Sequence, residues 1–397
     1  FSRLYSPLWP VSSGSGRLPE RGNCPIAASF EIWSYRGVLE SRCLFYRDQH
    51  KGAEVIRVQF FAKDFKNPSF SFYSQLMGEL TPREHGVDFS IAKDFVREGT
   101  EKIDVALVMG GEYSREWACA LRQSDPSVRI GVINPRPAHC PRIDDLDFIV
   151  ANGLESRDFY HKFVSDVFVY YTYPLIETGE RKSSDRVVLG YHGNRIHIEA
   201  MAPRITTAIN NVAKEYPLAL KLFYNVKNLG QSEIGQALNC PVEHIQFDPN
   251  GYGAAFADCD IGIIPQLIPL QRRGIAARVA ATLRGSYNEE DDDYLMRFKT
   301  TTNNGRAFVF AQMGIPMVMD LSPSATQLME YGEDGYYAYY TESWEACLRR
   351  LASDASHRQK IGQNMKARFQ LRYSPSAQNK LFSDYIHHLM HSPCSKA

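Results

Sequence analysis

The sequence predicts an α/β protein built as two doubly wound, Rossmann-like domains that face a cleft. Three observations predict it. Short apolar runs alternate with longer amphipathic stretches, the pattern of parallel strands covered by helices. The alternation stops at Glu177–Asp185 (ETGERKSSD), which is polar and has no apolar period, and then restarts. The length of 397 residues suits about two or three domains.

The first half begins with residues 1–23, rich in Ser, Gly and Pro, expected as an irregular lead-in rather than a transit peptide. Ile26–Ile32 is a strand candidate, and Gly37–His50 has the spacing of a helix. Glu54–Phe60 is a second strand, while residues 64–90 are aromatic-rich and give no clear assignment. Asp104–Met109 (DVALVM) is a continuous apolar run, as expected of a strand buried on both faces. A helix over Arg115–Arg122 and strands at Arg129–Ile133, Asp147–Ala151 and Val167–Tyr173 follow.

The second half repeats the rhythm. Strands are expected at Arg186–Tyr191, Ala219–Tyr224, Val242–Phe247, Asp260–Ile264 and Pro316–Met319. Helices are expected at Ile198–Glu215, Gly253–Phe256, Arg306–Met313, Ser343–Ser353, Ala355–Gln370 and Ser376–His391. The organisation read from this is a lead-in at 1–23, a first domain at 24–176, a linker at 177–185, a second domain at 186–373 and a final helix at 374–397 that crosses back to the first domain.

Composition narrows the function. Hydrophobic residues are 44% and charged residues 23%, values typical of a globular protein with a sizeable core. Lys+Arg is 45 and Asp+Glu is 45, so the net charge is zero and no overall positive field is available to hold nucleic acid. The eight cysteines are scattered without a C-x-x-C pair, which argues against a zinc ribbon and for a reducing, cytoplasmic setting. No apolar run reaches the ~18–20 residues of a membrane span. Peripheral contact with a membrane stays open.

The segment richest in chemistry is Lys299–Asp320 (KTTTNNGRAFVFAQMGIPMVMD). A cation and five small polar residues precede a helix start, where free backbone N–H groups and the helix dipole favour an anion. A diphosphate is the natural guest; the plain alternative is a well-capped helix. Gly190-Tyr191-His192-Gly193-Asn194 leaves a strand through a glycine turn that lets backbone approach a ligand, or is simply a tight turn. Asn225-Val226-Lys227-Asn228 ends the next strand. Residues 266–298 carry Arg272, Arg273, Arg278 and Arg284, as a phosphate-holding lid or as a solvated helix. In the first half three polar sets follow strands: Trp33–Gly37 with Arg36, Met109–Tyr113 with Glu112 and, one turn on, Arg115, and Asn134–Pro137.

The second half, about Arg186–Tyr373, carries a run of motifs in order: DIGIIP at Asp260–Pro265, K-x-x-x-N-N-x-R at Lys299–Arg306, A-x-x-G-I-P at Ala311–Pro316 and EYGEDG at Glu330–Gly335. This resembles the nucleotide-sugar-binding domain of GT-B glycosyltransferases, above all glycosyltransferase family 4. The resemblance implies transfer of a sugar from a nucleotide donor, UDP- or GDP-linked, to an acceptor hydroxyl of a glycan or glycoconjugate, with no cofactor and no bound metal. It places donor binding at Gly193, Asn194, Lys227, Lys299, Thr301, Thr302, Asn303, Asn304 and Arg306. Glu112 and His192 are the catalytic candidates, and Arg36 and Arg115 the acceptor-binding ones. One departure stands out: the two glutamates that many family 4 members space eight positions apart are replaced by Thr301 and Val309. Retention and inversion at the anomeric carbon both stay open. So do two rival functions: a nucleotide-sugar epimerase or hydrolase, and a non-catalytic nucleotide- or glycan-binding module.

Overall fold

Two six-stranded sheets, parallel throughout, organise the chain. The computed structural model describes residues 55–62, 86–93, 102–135, 146–266 and 304–392. All of them belong to one compact unit, Glu54–Ala397. The strand expected at Ile26–Ile32, the helix at Gly37–His50 and the arginine-bearing segment lie outside the described residues.

The first sheet contains β1 (Ile56–Ala62), β2 (Val87–Lys93), β3 (Val105–Met109), β4 (Arg129–Ile133), β5 (Phe148–Ala151) and β6 (Asp166–Val169), in the order β2-β1-β3-β4-β5-β6. The second contains β7 (Val187–His192), β8 (Leu218–Tyr224), β9 (Val242–Gln246), β10 (Ile261–Ile264), β11 (Met317–Asp320) and β12 (Tyr336–Ala338), in the order β12-β11-β10-β7-β8-β9. Both sheets are buried on both faces, which is why their strands read as continuous apolar runs. Val105 and Leu107 pack into one layer, while Ala106 and Val108 pack into the opposite one. In the second sheet Leu189 and Tyr191 face one layer and Val188 the other. The doubly wound α/β expectation holds for both halves.

Several local details differ from the expectation. The single helix expected over Ile198–Glu215 is two, Arg195–Glu199 and Arg204–Val212. Pro203 stands between them, and a proline has no N–H to continue the ladder. Strand β2 begins inside the stretch without a clear assignment and runs three residues past it. Strand β12 and the helices Leu154–Tyr160, Val226–Leu229 and Pro323–Leu328 are additional; each is seven residues or fewer, too short for a periodic signal.

The helix Pro375–His391 packs on the first sheet, although it follows the second in sequence. Its Phe382, Ile386 and Leu389 share a core layer with Val58, Phe60, Val105 and Leu107. At its start, Gln378 accepts from the Tyr171 N–H at 2.7 Å and donates to the Tyr171 carbonyl at 3.0 Å. The Tyr170 hydroxyl donates to Asn379 Oδ1 at 2.6 Å. The chain thus passes between the sheets twice, and glutamine and asparagine side chains tie the two passages together.

Candidate functional site

Strand order locates the site. In the second sheet the chain builds outward from β7 through β8 to β9, then returns to the other side of β7 and builds through β10 to β12. The switch falls between β7 and β10. In the first sheet it falls between β1 and β3. Doubly wound sheets take ligands outside the carboxyl ends of the strands at such switch points.

At the second switch point β7 ends in His192 and β10 leads to Pro265 and Gln266. The helix Gly305–Met313 starts beside them, with Asn304 as its N-cap. Asn304 is fully buried. Its Oδ1 accepts from Gln266 Nε2 at 2.6 Å, and its Nδ2 has no acceptor among the described residues. Gln266 is held in turn: Ser322 Oγ donates to its Oε1 at 3.0 Å, and its own N–H donates to Asp320 Oδ2 at 2.8 Å. Asp320, fully buried at the end of β11, also accepts from Trp344 Nε1 at 3.2 Å and pairs with Arg204 at 2.7 Å. A buried carboxylate is tolerable only with such partners. Together they fix the floor on which Gln266 and Asn304 stand.

Gly193 and Arg306 complete this edge. Gly193 has φ +135, a conformation that a side chain resists, and a Cβ there would come within 3.0 Å of Arg306 Cδ. Arg306 Nη1 donates to the Pro265 carbonyl at 2.9 Å, and its guanidinium lies over the Tyr191 ring. Asn194 and Lys227 sit further out. Asn194 is exposed and caps the Arg195–Glu199 helix, while Lys227 is exposed with its N–H on Gln246 Oε1.

His192 is 5% exposed, ringed by Tyr252, Phe256 and Phe310. Its Nε2 lies 3.0 Å from the Arg306 carbonyl, which can only accept, so Nε2 carries the proton and donates. Burial pushes the ring's pKa down to about 3. A catalytic role was expected for His192; here a neutral ring anchors the first turn of the helix. The unfolded chain protonates this ring below about pH 6.5 and the native state only near pH 3, so the stability present above pH 6.5 is lost as pH falls. The loss by pH 3 is on the order of 4 kcal/mol. Urea unfolding between pH 7 and pH 4 should show a shallower decline in His192→Asn, and an unchanged slope would remove His192 as its source.

At the first sheet's switch point β3 ends at Met109; Gly110 follows, then Glu112, half-buried, with its N–H on the Met109 carbonyl at 2.8 Å. Arg115 is the exposed first residue of the helix Arg115–Ser124, which Ser114 caps. Asn134 and Asn152 directly follow the neighbouring strands β4 and β5.

The two carboxyl edges meet through the short helices that follow β5 and β11. Glu155, buried, accepts from the Ser324 N–H at 3.0 Å and from the Ser324 hydroxyl; Ser324 Oγ also accepts from the Leu154 N–H at 3.1 Å. The Tyr171 hydroxyl, kept protonated by burial, donates to Gln327 Oε1. A separate concavity of about 460 Å³ lies beside edge strand β9, lined by Ser232, Glu233, Cys240 and His244 among others.

The structure therefore brings His192, Gly193 and Arg306 into contact, sets Asn304 at the start of the same helix, and places Glu112 and Arg115 on the other sheet's edge. Lys299, Thr301, Thr302, Asn303 and Arg36 lie outside the described residues. Val309, one of the two positions where family 4 members carry glutamate, sits in the buried apolar layer. Sequence reasoning missed Gln266, Asp320, Glu155 and Asn152. Each is a lone polar residue at or within a few positions of a strand's carboxyl end, and only the sheet order shows what it faces. Among the described residues no group of His, Cys, Asp and Glu is arranged to hold a metal ion. No described helix is long and apolar enough to cross a membrane.

No protein-family profile matches the chain, and no curated protein matches its sequence. Solved structures do match. HepE of Anabaena, in complex with UDP and glucose, aligns with a TM-score of 0.50 and 12% identity, over 84% of this chain and 100% of its own. Sucrose-phosphate synthase of Thermosynechococcus elongatus aligns with a TM-score of 0.50 and 10% identity, over 84% of this chain and 99% of its own. S. aureus TarM aligns with a TM-score of 0.48 and 10% identity, over 72% of this chain and 55% of its own, so the chain spans about half of TarM's length. The fold is that of the GT-B glycosyltransferases.

Proposed function

We propose that the protein is a glycosyltransferase that moves a sugar from a nucleotide-sugar donor to a hydroxyl of a glycan or glycoconjugate. The observation that carries this reading is Asn304: a fully buried carboxamide at a helix start, on the switch point of a doubly wound sheet, with a donor group that has no acceptor among the described residues. An anion supplied by a ligand would satisfy it. The donor diphosphate is assigned to that helix start, with Lys299, Thr301, Thr302 and Asn303 leading into it and Arg306 within its first turn. Gly193, with no side chain, lets Arg306 and the Tyr191 hydroxyl close against the backbone beside that helix start.

In the reaction the acceptor oxygen bonds to the anomeric carbon as the bond from that carbon to the diphosphate oxygen breaks. The hydroxyl proton leaves to a base or to the departing phosphate oxygen. Charge grows on the diphosphate, so fixed donors at the helix start lower the barrier. Glu112, on the opposite edge, is the base if the configuration inverts. His192 acts only by holding the Arg306 carbonyl. Since protein donors hold the diphosphate in this reading, turnover should persist in a chelator.

HepE was solved with UDP and glucose, which makes UDP the first nucleotide to test. A thermal-shift screen with UDP, GDP, dTDP, CMP, ADP and NAD should show stabilisation by one nucleoside diphosphate, about 2.7 kcal/mol at a hundredfold excess over its dissociation constant. Lys299→Ala should abolish most of that shift and most turnover. No shift with any nucleotide would sink the reading. Consumption of donor without acceptor would replace it with a hydrolase or epimerase.

A further inference from the structure

Two carboxamide oxygens at the carboxyl end of the first sheet, Asn134 Oδ1 and Asn152 Oδ1, are shielded from solvent and have no hydrogen-bond donor among the described residues. Asn152 as a whole is 5% exposed. The two residues directly follow adjacent strands. Ile133 of β4 stands opposite Val150 of β5, and the Asn134 N–H donates to the Val150 carbonyl at 2.7 Å. On the other side β3 closes in tightly: a Cβ on Gly110 would come within 2.2 Å of Pro135 Cα.

Buried acceptors without donors are rare in folded proteins. Here two occur, one just after each of two adjacent strands, on an edge where doubly wound sheets take ligands. The backbone adds an independent observation. Asn134 has φ +46, and it alone among the described non-glycine residues is in the left-handed region. Such conformations persist where the surroundings impose them, and they gather at ligand sites.

We infer that Asn134 and Asn152 form the acceptor subsite and hold an uncharged, polyhydroxylated acceptor by accepting hydrogen bonds from its hydroxyls. The inference rests on the glycosyltransferase reading above. A carboxamide oxygen only accepts, so its partner must donate. A phosphate or carboxylate at neutral pH brings only acceptors and leaves both oxygens unsatisfied. An ammonium group would bring a charge that neutral carboxamides do not balance. A sugar hydroxyl brings the donor and no charge. The position also suits transfer. Asn152 lies two residues before Leu154, whose N–H reaches Ser324 in the short helix after β11. A hydroxyl held there stands beside the carboxyl end of the second sheet.

The test uses the full chain, saturated with whichever nucleoside diphosphate stabilises it. The probes are methyl glucoside, methyl galactoside and methyl N-acetylglucosaminide, with glucosamine, glucuronate and glucose 6-phosphate as charged counterparts. At least one neutral glycoside should raise the melting temperature more than any charged sugar. Asn152→Leu should bind that glycoside at least tenfold more weakly while keeping its response to nucleotide. Without ligand it should melt no lower than the parent, because an apolar group of similar shape replaces an unpaired one. Asn152→Asp, which keeps the acceptor oxygens, should retain binding. Should the leucine variant fail to fold, Asn134→Gly is the second probe. Glycine tolerates the left-handed backbone, so this variant should fold and lose the same tenfold. Wild-type glycoside affinity in the folded leucine or glycine variant overturns the proposal, and so does tighter binding of a charged sugar. So does the absence of any glycoside response in protein that binds nucleotide. Absence of a nucleotide response as well overturns the reading beneath it.

Discussion

Asp320→Ala is expected to destabilise the protein by about 3–5 kcal/mol, the usual cost of removing one partner of a buried ion pair. The carboxylate has no exposure and gathers three donors from distant parts of the chain: Arg204, the indole of Trp344 and the backbone N–H of Gln266. Alanine leaves all three without it at once. Arg204 keeps one bond, to the Tyr339 carbonyl at 2.6 Å, so its charge stays where it is with nothing to balance it. Urea unfolding of the variant beside the parent measures the effect, and a loss below about 1 kcal/mol would show that water or another side chain replaces the carboxylate. The damage should also reach the ligand site, because Gln266 connects Asp320 to Asn304.

Asn304→Leu is expected to weaken nucleoside diphosphate binding by at least tenfold, about 1.4 kcal/mol. Leucine removes the unsatisfied Nδ2 donor and also takes the acceptor from Gln266 Nε2. Asn304→Asp separates those two losses. An aspartate still accepts from Gln266, so the local structure should survive, but it turns a carboxylate oxygen toward the assigned phosphates. Binding should therefore fall as far as in the leucine variant, or further. Calorimetric titration with UDP reads both, and an aspartate variant that binds like the parent would move the diphosphate away from Asn304.

How much of this was legible in the sequence depends on the range of the interaction. The strands were legible because burial on both faces leaves runs such as VALVM and VVLGY unbroken. The helix start at Asn304 was legible because small polar residues, a glycine and a return to apolar period are local signals. Asp320 was not, because its partners lie 54 to 116 positions upstream and 24 downstream in sequence. Asn152 and Glu155 were not, because the helix that follows β5 has seven residues and an unassisted glycine cap. His192 was legible as a strand-end residue. Its neutral state was not, since that comes from Tyr252, Phe256 and Phe310 closing around the ring.

The placement of the Pro375–His391 helix sets an order of events during synthesis. The last strand of the first sheet ends at Val169, yet the helix that covers one face of that sheet is translated roughly 200 residues later. At about 5–20 residues per second, that is roughly 10–40 s during which Val58, Phe60, Val105 and Leu107 lack part of their cover. The second sheet has no such wait, since its own helices follow its strands directly. The half made first is thus the half finished last. A released chain ending before Pro375 would hold a complete second sheet beside a first one with an open apolar face, a form exposed to chaperones and to aggregation.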